Sequence, residues 1–204
     1  MAKKKAKSGG TRSAVIAMVS VLLIIAALCC AVFYQKNGYI GPQEFTYPVK
    51  YEEYVIKYSN KYNVDPAVVY SVIKTESGFD EKAVSNVGAR GLMQLMEDAY
   101  NWVKYRLGDE GEEDFAQMFD PEKNIEYGTY YLSYLLDKYG GSVEIAAAAY
   151  HCGMGTVDNW LENGTIDENN FDADSIPDEN DQTRHYVKKI AKAYKNYKII
   201  LKEE

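Results

Sequence analysis

Glu76 is a carboxylate in a position where a helix should bury an apolar side chain. Val69, Val72, Ile73 and Glu76 stand at i, i+3, i+4 and i+7, so the glutamate shares a face with core-forming residues. Loss of water and the negative end of the helix dipole would both favour its protonated form. Such a group suits general-acid chemistry. A glutamate at a helix end is more often simply solvated, so the residues that follow it have to decide.

Acid–base chemistry often pairs such a group with a second carboxylate. Only one is well placed here. Asp80 and Glu81 follow Glu76 too closely and fall beyond the helix end, where solvated loop positions are the default. His151 and Cys152 invite a thiol-hydrolase reading, but adjacent residues on a helix point about 100° apart and cannot pair as base and nucleophile. With two histidines, no clustered cysteines and no HExxH-type spacing, no metal or other cofactor is expected.

The elements that must position Glu76 read as helices. Asp65 and Pro66 form an N-cap and first helical residue, and Gly78 closes that helix. Before it, Tyr51, Tyr54, Val55, Tyr58 and Tyr62 mark one face of another helix. A further helix is predicted from Gly91 to Leu107. Asp120-Pro121 opens the next, with Ile125, Gly128, Leu132, Leu135 and Leu136 inward and Gly140-Gly141 at its end. Ser142 can cap the alanine-rich stretch to Tyr150, and Thr183 to Leu201 forms the last helix. Residues 162–181, rich in Asn, Asp and Glu, read as an exposed loop; calcium binding is the outside alternative, without the spacing of a known calcium loop. No strand pattern of useful length occurs, although a small hairpin after Phe79 has room.

Around Glu76 the residue order carries more than any single motif. Ser77-Gly78-Phe79 follows it directly, and Gly88-Ala89-Arg90-Gly91-Leu92-Met93-Gln94-Leu95-Met96 comes about ten residues on. Then come Asp120-Pro121 with Asn124-Ile125, Gly128 and Tyr131-Leu132; Ala149-Tyr150-His151-Cys152-Gly153; and Ile176-Pro177 with Thr183-Arg184-His185-Tyr186-Val187. This succession, over roughly residues 48 to 200, resembles the soluble lytic transglycosylase family, lysozyme-like enzymes that cleave peptidoglycan. The sequence departs from the family pattern at His151, where asparagine is usual, at Glu97, where proline is common, and at Gln182, where glutamate usually precedes Thr-Arg.

The resemblance implies a lysozyme-like, all-α domain in which Glu76 acts as acid and then as base. It would protonate the oxygen between N-acetylmuramic acid and N-acetylglucosamine, then take a proton from the muramic C6 hydroxyl as that oxygen closes onto C1, leaving a 1,6-anhydro end. Ser77, Met93, Gln94, Tyr150, His151 and Tyr186 are the substrate-binding candidates, with Tyr186 reaching the glutamate and Gln94 facing saccharide or glutamate. The alternatives are a hydrolytic muramidase on the same fold and an inactive, membrane-tethered wall-binding scaffold. Core packing is the plain reading of Met93, and an amphipathic helix face that of Tyr150 and Tyr186. Many of the 19 tyrosines also suit stacking on sugar rings.

At 204 residues with 47% hydrophobic content the chain supports one ordinary domain plus a short attachment. Its net charge of -7 hides an asymmetry: Lys3, Lys4, Lys5, Lys7, Arg12 and Lys36 precede any acid, so the rest is strongly acidic and a poor binder of nucleic acid. Ala14 to Phe33 is apolar apart from Ser20 and uncharged, about 30 Å as a helix and enough to span a bilayer. The expected organisation is a basic cytoplasmic tail (1–13), one transmembrane anchor (14–34), a linker (35–47) and the enzyme domain (48–204) on the outer, cell-wall side of the cell membrane. A cleaved signal peptide and a lipidated Cys29 or Cys30 compete with the anchor. The run is long for a signal peptide, however, and lacks a clean cleavage site. Cys152 alone lies beyond it, so the domain has no internal disulfide. Protease added outside wall-opened cells should remove the carboxy-terminal domain and spare the first dozen residues, as an immunoblot against each end will read; full protection of the domain would contradict this topology.

Overall fold

The helix starts legible as caps are helix starts in the computed structural model of the chain. It describes residues 46–202 apart from position 113, together with positions 18, 20, 21 and 23–25. The chain divides into two units, Met1–Pro48 and Val49–Glu204. In the first, the described positions between 18 and 25 are helical. Among the described residues no helix is long and apolar enough to cross a membrane. Apart from those six positions, the anchor expected over 14–34 lies outside the described residues, as do the tail and nearly all of the linker.

The second unit runs α1 (Glu52–Tyr62), α2 (Pro66–Glu76), α3 (Glu97–Leu107), a 3-10 turn (Phe115–Phe119), α4 (Pro121–Lys138), α5 (Val143–Cys152), α6 (Met154–Glu162), two short 3-10 turns (Ala173–Ser175 and Asp178–Asn180) and α7 (Asp181–Ile200). Asp65 accepts the Ala67 N–H at 2.9 Å to open α2, Asp120 accepts the Lys123 N–H at 2.9 Å to open α4, and Ser142 accepts the Ile145 N–H at 3.3 Å to open α5. Proline occupies the first position of α2 and of α4, where its missing N–H costs nothing.

Pairing along the helices fixes their directions. Asp65, at the start of α2, accepts from Tyr194 and Lys198 near the end of α7, while Glu76, at the end of α2, accepts from Tyr186 near the start of α7. These two helices are therefore antiparallel, with Tyr70 and Tyr197 stacked between them at 5.2 Å. Helix α5 packs on α7 as well. Lys57 and Lys61 of α1 reach Glu122 and Glu126 of α4, so that pair runs parallel.

The structure corrects the helix expected from Gly91: α3 begins at Glu97, and residues 90–95 make a tight turn. Arg90 and Leu95 exchange both backbone hydrogen bonds, at 2.9 and 3.1 Å. Gly91 and Gln94 have φ of 76° and 47°, which no right-handed helix accepts. A Cβ on Gly91 would stand 2.0 Å from the Met118 carbonyl, and one on Gly128 would stand 2.4 Å from the Met93 sulfur. The hairpin allowed for after Phe79 is reduced to isolated antiparallel bridges, Val84 with Arg90 and Arg90 with Leu95. The segment expected as an exposed loop, 162–181, is fastened at two points, since Ile166 and Ile176 are buried. The α5 stretch also continues past Gly153 into α6, a helix the sequence reading left out.

Asn124 holds the 90–95 turn against α4. Its amide nitrogen donates to the Arg90 carbonyl at 3.0 Å and the Met118 carbonyl at 2.9 Å, and its amide oxygen accepts the Met93 N–H at 2.8 Å. The residue is wholly buried. Asn124→Leu keeps the volume but leaves these groups without a partner, so it should lower stability by about 3 kcal/mol in urea unfolding followed by tryptophan fluorescence. A loss below about 0.5 kcal/mol would show that the turn holds itself.

Candidate active site

Glu76 is the last residue of α2, and the chain turns sharply behind it through Gly78 and Phe79, with φ of 59° and 72°. The Ser77 hydroxyl stabilises that turn. It accepts the Phe79 N–H at 3.1 Å and stands 2.7 Å from the Leu92 carbonyl and 3.2 Å from the Ile73 carbonyl. It thereby ties the end of α2 to the 90–95 turn. Phe79 is itself buried, its ring 6.4 Å from that of Tyr70.

Three helix ends meet at the carboxyl group. Tyr186, in the second turn of α7, donates its hydroxyl to Glu76 Oε1 at 2.7 Å. Tyr150, near the end of α5, donates to the Met93 carbonyl at 2.8 Å, and its ring packs on Tyr131 at 5.4 Å. His151 places Nδ1 3.0 Å from Thr183 Oγ1 and lays its ring against Tyr186, centroids 4.7 Å apart. Glu76, Ser77, Tyr150, His151 and Tyr186 thus form one neighbourhood.

Two other candidates sit differently. Met93 has no exposed surface, so its side chain backs the site rather than lining a groove. Gln94 braces the turn that carries it: its amide nitrogen donates to the carbonyls of Ala83 at 3.1 Å and Gly91 at 2.9 Å. Sequence reasoning missed Thr183 as the partner of His151 and Asn124 as the hub behind Met93. The signal for Asn124 was present, since it stands with Ile125 among the motif residues.

Burial pushes the Glu76 carboxyl up to about 7, against a smaller opposing effect of the Tyr186 hydrogen bond. Burial also raises Tyr150 and Tyr186 well above the usual phenol range, so both remain neutral donors. Asp80 and Glu81 are engaged elsewhere. Asp80 accepts the Lys82 N–H at 2.9 Å, and Glu81 accepts from Tyr51 at 3.1 Å. Burial pushes the Cys152 thiol up, away from the thiolate a nucleophile needs. Among the described residues no group of three or more His, Cys, Asp or Glu side chains is arranged to hold a metal ion.

The raised carboxyl has a cost whose sign is definite. A group with a raised folded-state pKa supports folding fully below its unfolded value, near 4.5, and loses that support as pH climbs through about 7. Glu76→Gln carries no charge at any pH. The variant should therefore match the parent near pH 4.5 and exceed it above pH 7, by up to about 3 kcal/mol. Denaturant midpoints at the two pH values check this; a variant no more stable at pH 8 would show that the carboxylate is not held at a loss.

Comparison with known proteins shows the family. The family described as "Transglycosylase SLT domain" matches residues 53–171. The chain is 34% identical over 156 residues to the soluble lytic murein transglycosylase of Escherichia coli K12, covering 76% of this chain and 24% of that protein. It is 30% identical over 166 residues to the membrane-bound lytic murein transglycosylase C of Actinobacillus pleuropneumoniae serotype 5b, covering 72% of this chain and 46% of that one. The crystal structure of the 70 kDa soluble lytic transglycosylase of Escherichia coli superposes with a TM-score of 0.70 at 30% identity, over 78% of this chain and 26% of that one. The chain thus spans about a quarter of its soluble relatives and under half of its membrane-bound ones. On the strength of that match and the shared mostly helical fold, this chain belongs to the Transglycosylase SLT domain family.

Proposed function

We propose that the folded unit is a peptidoglycan lytic transglycosylase that cleaves the β-1,4 bond between N-acetylmuramic acid and N-acetylglucosamine and leaves a 1,6-anhydro end. The observation that carries this reading is Glu76, a carboxyl raised to about 7 by burial, with Tyr186 as its hydrogen-bond donor and no carboxylate contributing to its shift. The names of the relatives, soluble and membrane-bound lytic murein transglycosylases, support the same substrate class.

Near neutral pH a carboxyl titrating at about 7 is substantially protonated yet ready to lose its proton, which is the property of an efficient general acid. Glu76 gives its proton to the bridging oxygen as the bond from the muramic C1 breaks. The carboxylate that remains is stabilised by the Tyr186 hydroxyl and takes the proton of the muramic C6 hydroxyl while that oxygen bonds to C1. Atoms balance without water, and the acid is regenerated. Ser77 and Met93 hold the acid's surroundings, Tyr150 and His151 stand beside it, and Gln94, whose amide nitrogen braces the turn, turns its amide oxygen to a saccharide. In the same reading the unit works on the cell-wall side of the membrane, anchored through residues 14–34.

Purified protein in detergent, incubated with wall material, should release muropeptides lighter by one water than their hydrolysed counterparts and without a reducing end. Glu76→Gln should lower the rate at least ~100-fold, roughly 3 kcal/mol of transition-state stabilisation. Reducing-end products would mean a hydrolytic muramidase, and binding without release would mean a scaffold.

A further inference from the structure

Among the described residues Tyr186 is the hydrogen-bond partner of the acid, and its ring must be held for that contact to persist. The phenol lies on α7, whereas the side chain against its face comes from α5. His151 packs on Tyr186 with 4.7 Å between centroids and a 33° tilt, while its Nδ1 stands 3.0 Å from Oγ1 of Thr183, one turn before Tyr186 on the same helix. Thr183 is buried, so that hydroxyl is a fixed point. The imidazole also borders a cleft of about 530 Å³ lined by Cys152, Glu179, Asn180, Asp181, Gln182 and Thr183. His151 is thus gripped by α7 at its Nδ1 atom and lies across the ring that reaches Glu76.

We propose that His151 is a positioning residue that acts on Glu76 through Tyr186: anchored on Thr183, it clamps the phenol in the rotamer that donates to the acid. The proposal rests on the reading of Glu76 as the acid. A buried phenol free to swing would lose its bond to the carboxyl, and since that bond favours the ionised form, its loss moves the Glu76 titration upward. The clamp also determines how the carboxylate is stabilised once its proton has gone.

The charged and titratable groups around the imidazole and the cleft it borders are Cys152 on α5, Tyr186 and Asp181 on α7, and Glu179 in the turn before α7, with Glu76 of α2 reached through Tyr186. Asp181 is already opposed by Arg184 at 3.7 Å, and it and Glu179 are exposed to solvent screening. Desolvation of the ring lowers His151 below the ordinary imidazole range, which keeps it neutral where Glu76 titrates. The clamp therefore works as a neutral ring and hydrogen bond, not as a cation.

The test is a double-mutant cycle read at Glu76. Full-length protein labelled with 13C at the glutamate carboxyls is titrated by NMR, with the Glu76 signal identified by its loss in Glu76→Gln. His151→Ala should raise the Glu76 midpoint by roughly one pH unit, as Tyr186→Phe should, and the double variant should go no further than Tyr186→Phe alone. On solubilised glycan strands His151→Ala should lower kcat about tenfold and leave KM within about twofold. Thr183→Val should move the Glu76 midpoint in the same direction and Thr183→Ser should restore it, so the clamp can be read even if His151→Ala folds poorly. An unmoved Glu76 midpoint in both His151→Ala and Thr183→Val, additive shifts in the double variant, or a rise in KM alone would overturn the proposal. The titration needs no activity, so a chain that cleaves nothing would defeat the functional reading while the clamp is still judged.

Discussion

A single phenol-to-carboxyl hydrogen bond, Tyr186 to Glu76, joins residues 110 positions apart, and the rest of the fold keeps it closed. A carboxyl drawn out of water at a helix end is held at a loss, so neighbouring elements have to stabilise its position. The antiparallel pair α2 and α7 does this through three contacts: Glu76 with Tyr186 at one end, and Asp65 with Tyr194 and Lys198, next to Tyr70 stacked on Tyr197, toward the other. The polar contacts at the two ends set the register, and the stacked rings are wholly buried. Sliding one helix along the other by a turn would disrupt all three at once.

The second constraint is the turn of residues 90–95. Its backbone is fixed from three sides, by Ser77 on the Leu92 carbonyl, Asn124 on the Met93 N–H, and Tyr150 on the Met93 carbonyl. Those bonds come from the segment just after α2, from α4 and from α5. The turn therefore serves as a common bearing for the elements around the acid. Glycines at 91 and 128 let it sit that close: one meets the Met118 carbonyl and the other the Met93 side chain. A site held within a few tenths of an ångström needs such support from residues that never meet a ligand.

The electrostatics of the unit are economical. Carboxylates away from the site pair with lysines at its surface, as Glu122 and Glu126 do with Lys57 and Lys61. Such exposed pairs add little stability. Around Glu76 the arrangement is reversed, with neutral tyrosines in place of cations. A lysine or arginine there would lower the carboxyl and spoil it as an acid near neutral pH, whereas a phenol offers a donor without a full charge. Burial then outweighs the hydrogen bond, which is why the group rises to about 7 instead of falling.

What the sequence determined by itself was local. The caps at Asp65, Asp120 and Ser142 each act on a backbone N–H two or three residues away, so their meaning is complete within a short segment, and the helices they open are where the sequence places them. Glu76 was legible for the same reason, because helical spacing alone puts it on the core face, and the ordered motifs gave the family. Tertiary structure decided what depends on partners far along the chain. Leu92, Met93 and Leu95 are buried, and an apolar run suits a helix as well as a turn, so partners far along the chain, Asn124 and Tyr150 among them, select the turn. Gln94 shares that turn and braces it. The meeting of His151 with Thr183 and of Tyr186 with Glu76 follows from how α5 and α7 pack, because a side chain's periodicity shows which way it faces and not what it will find there.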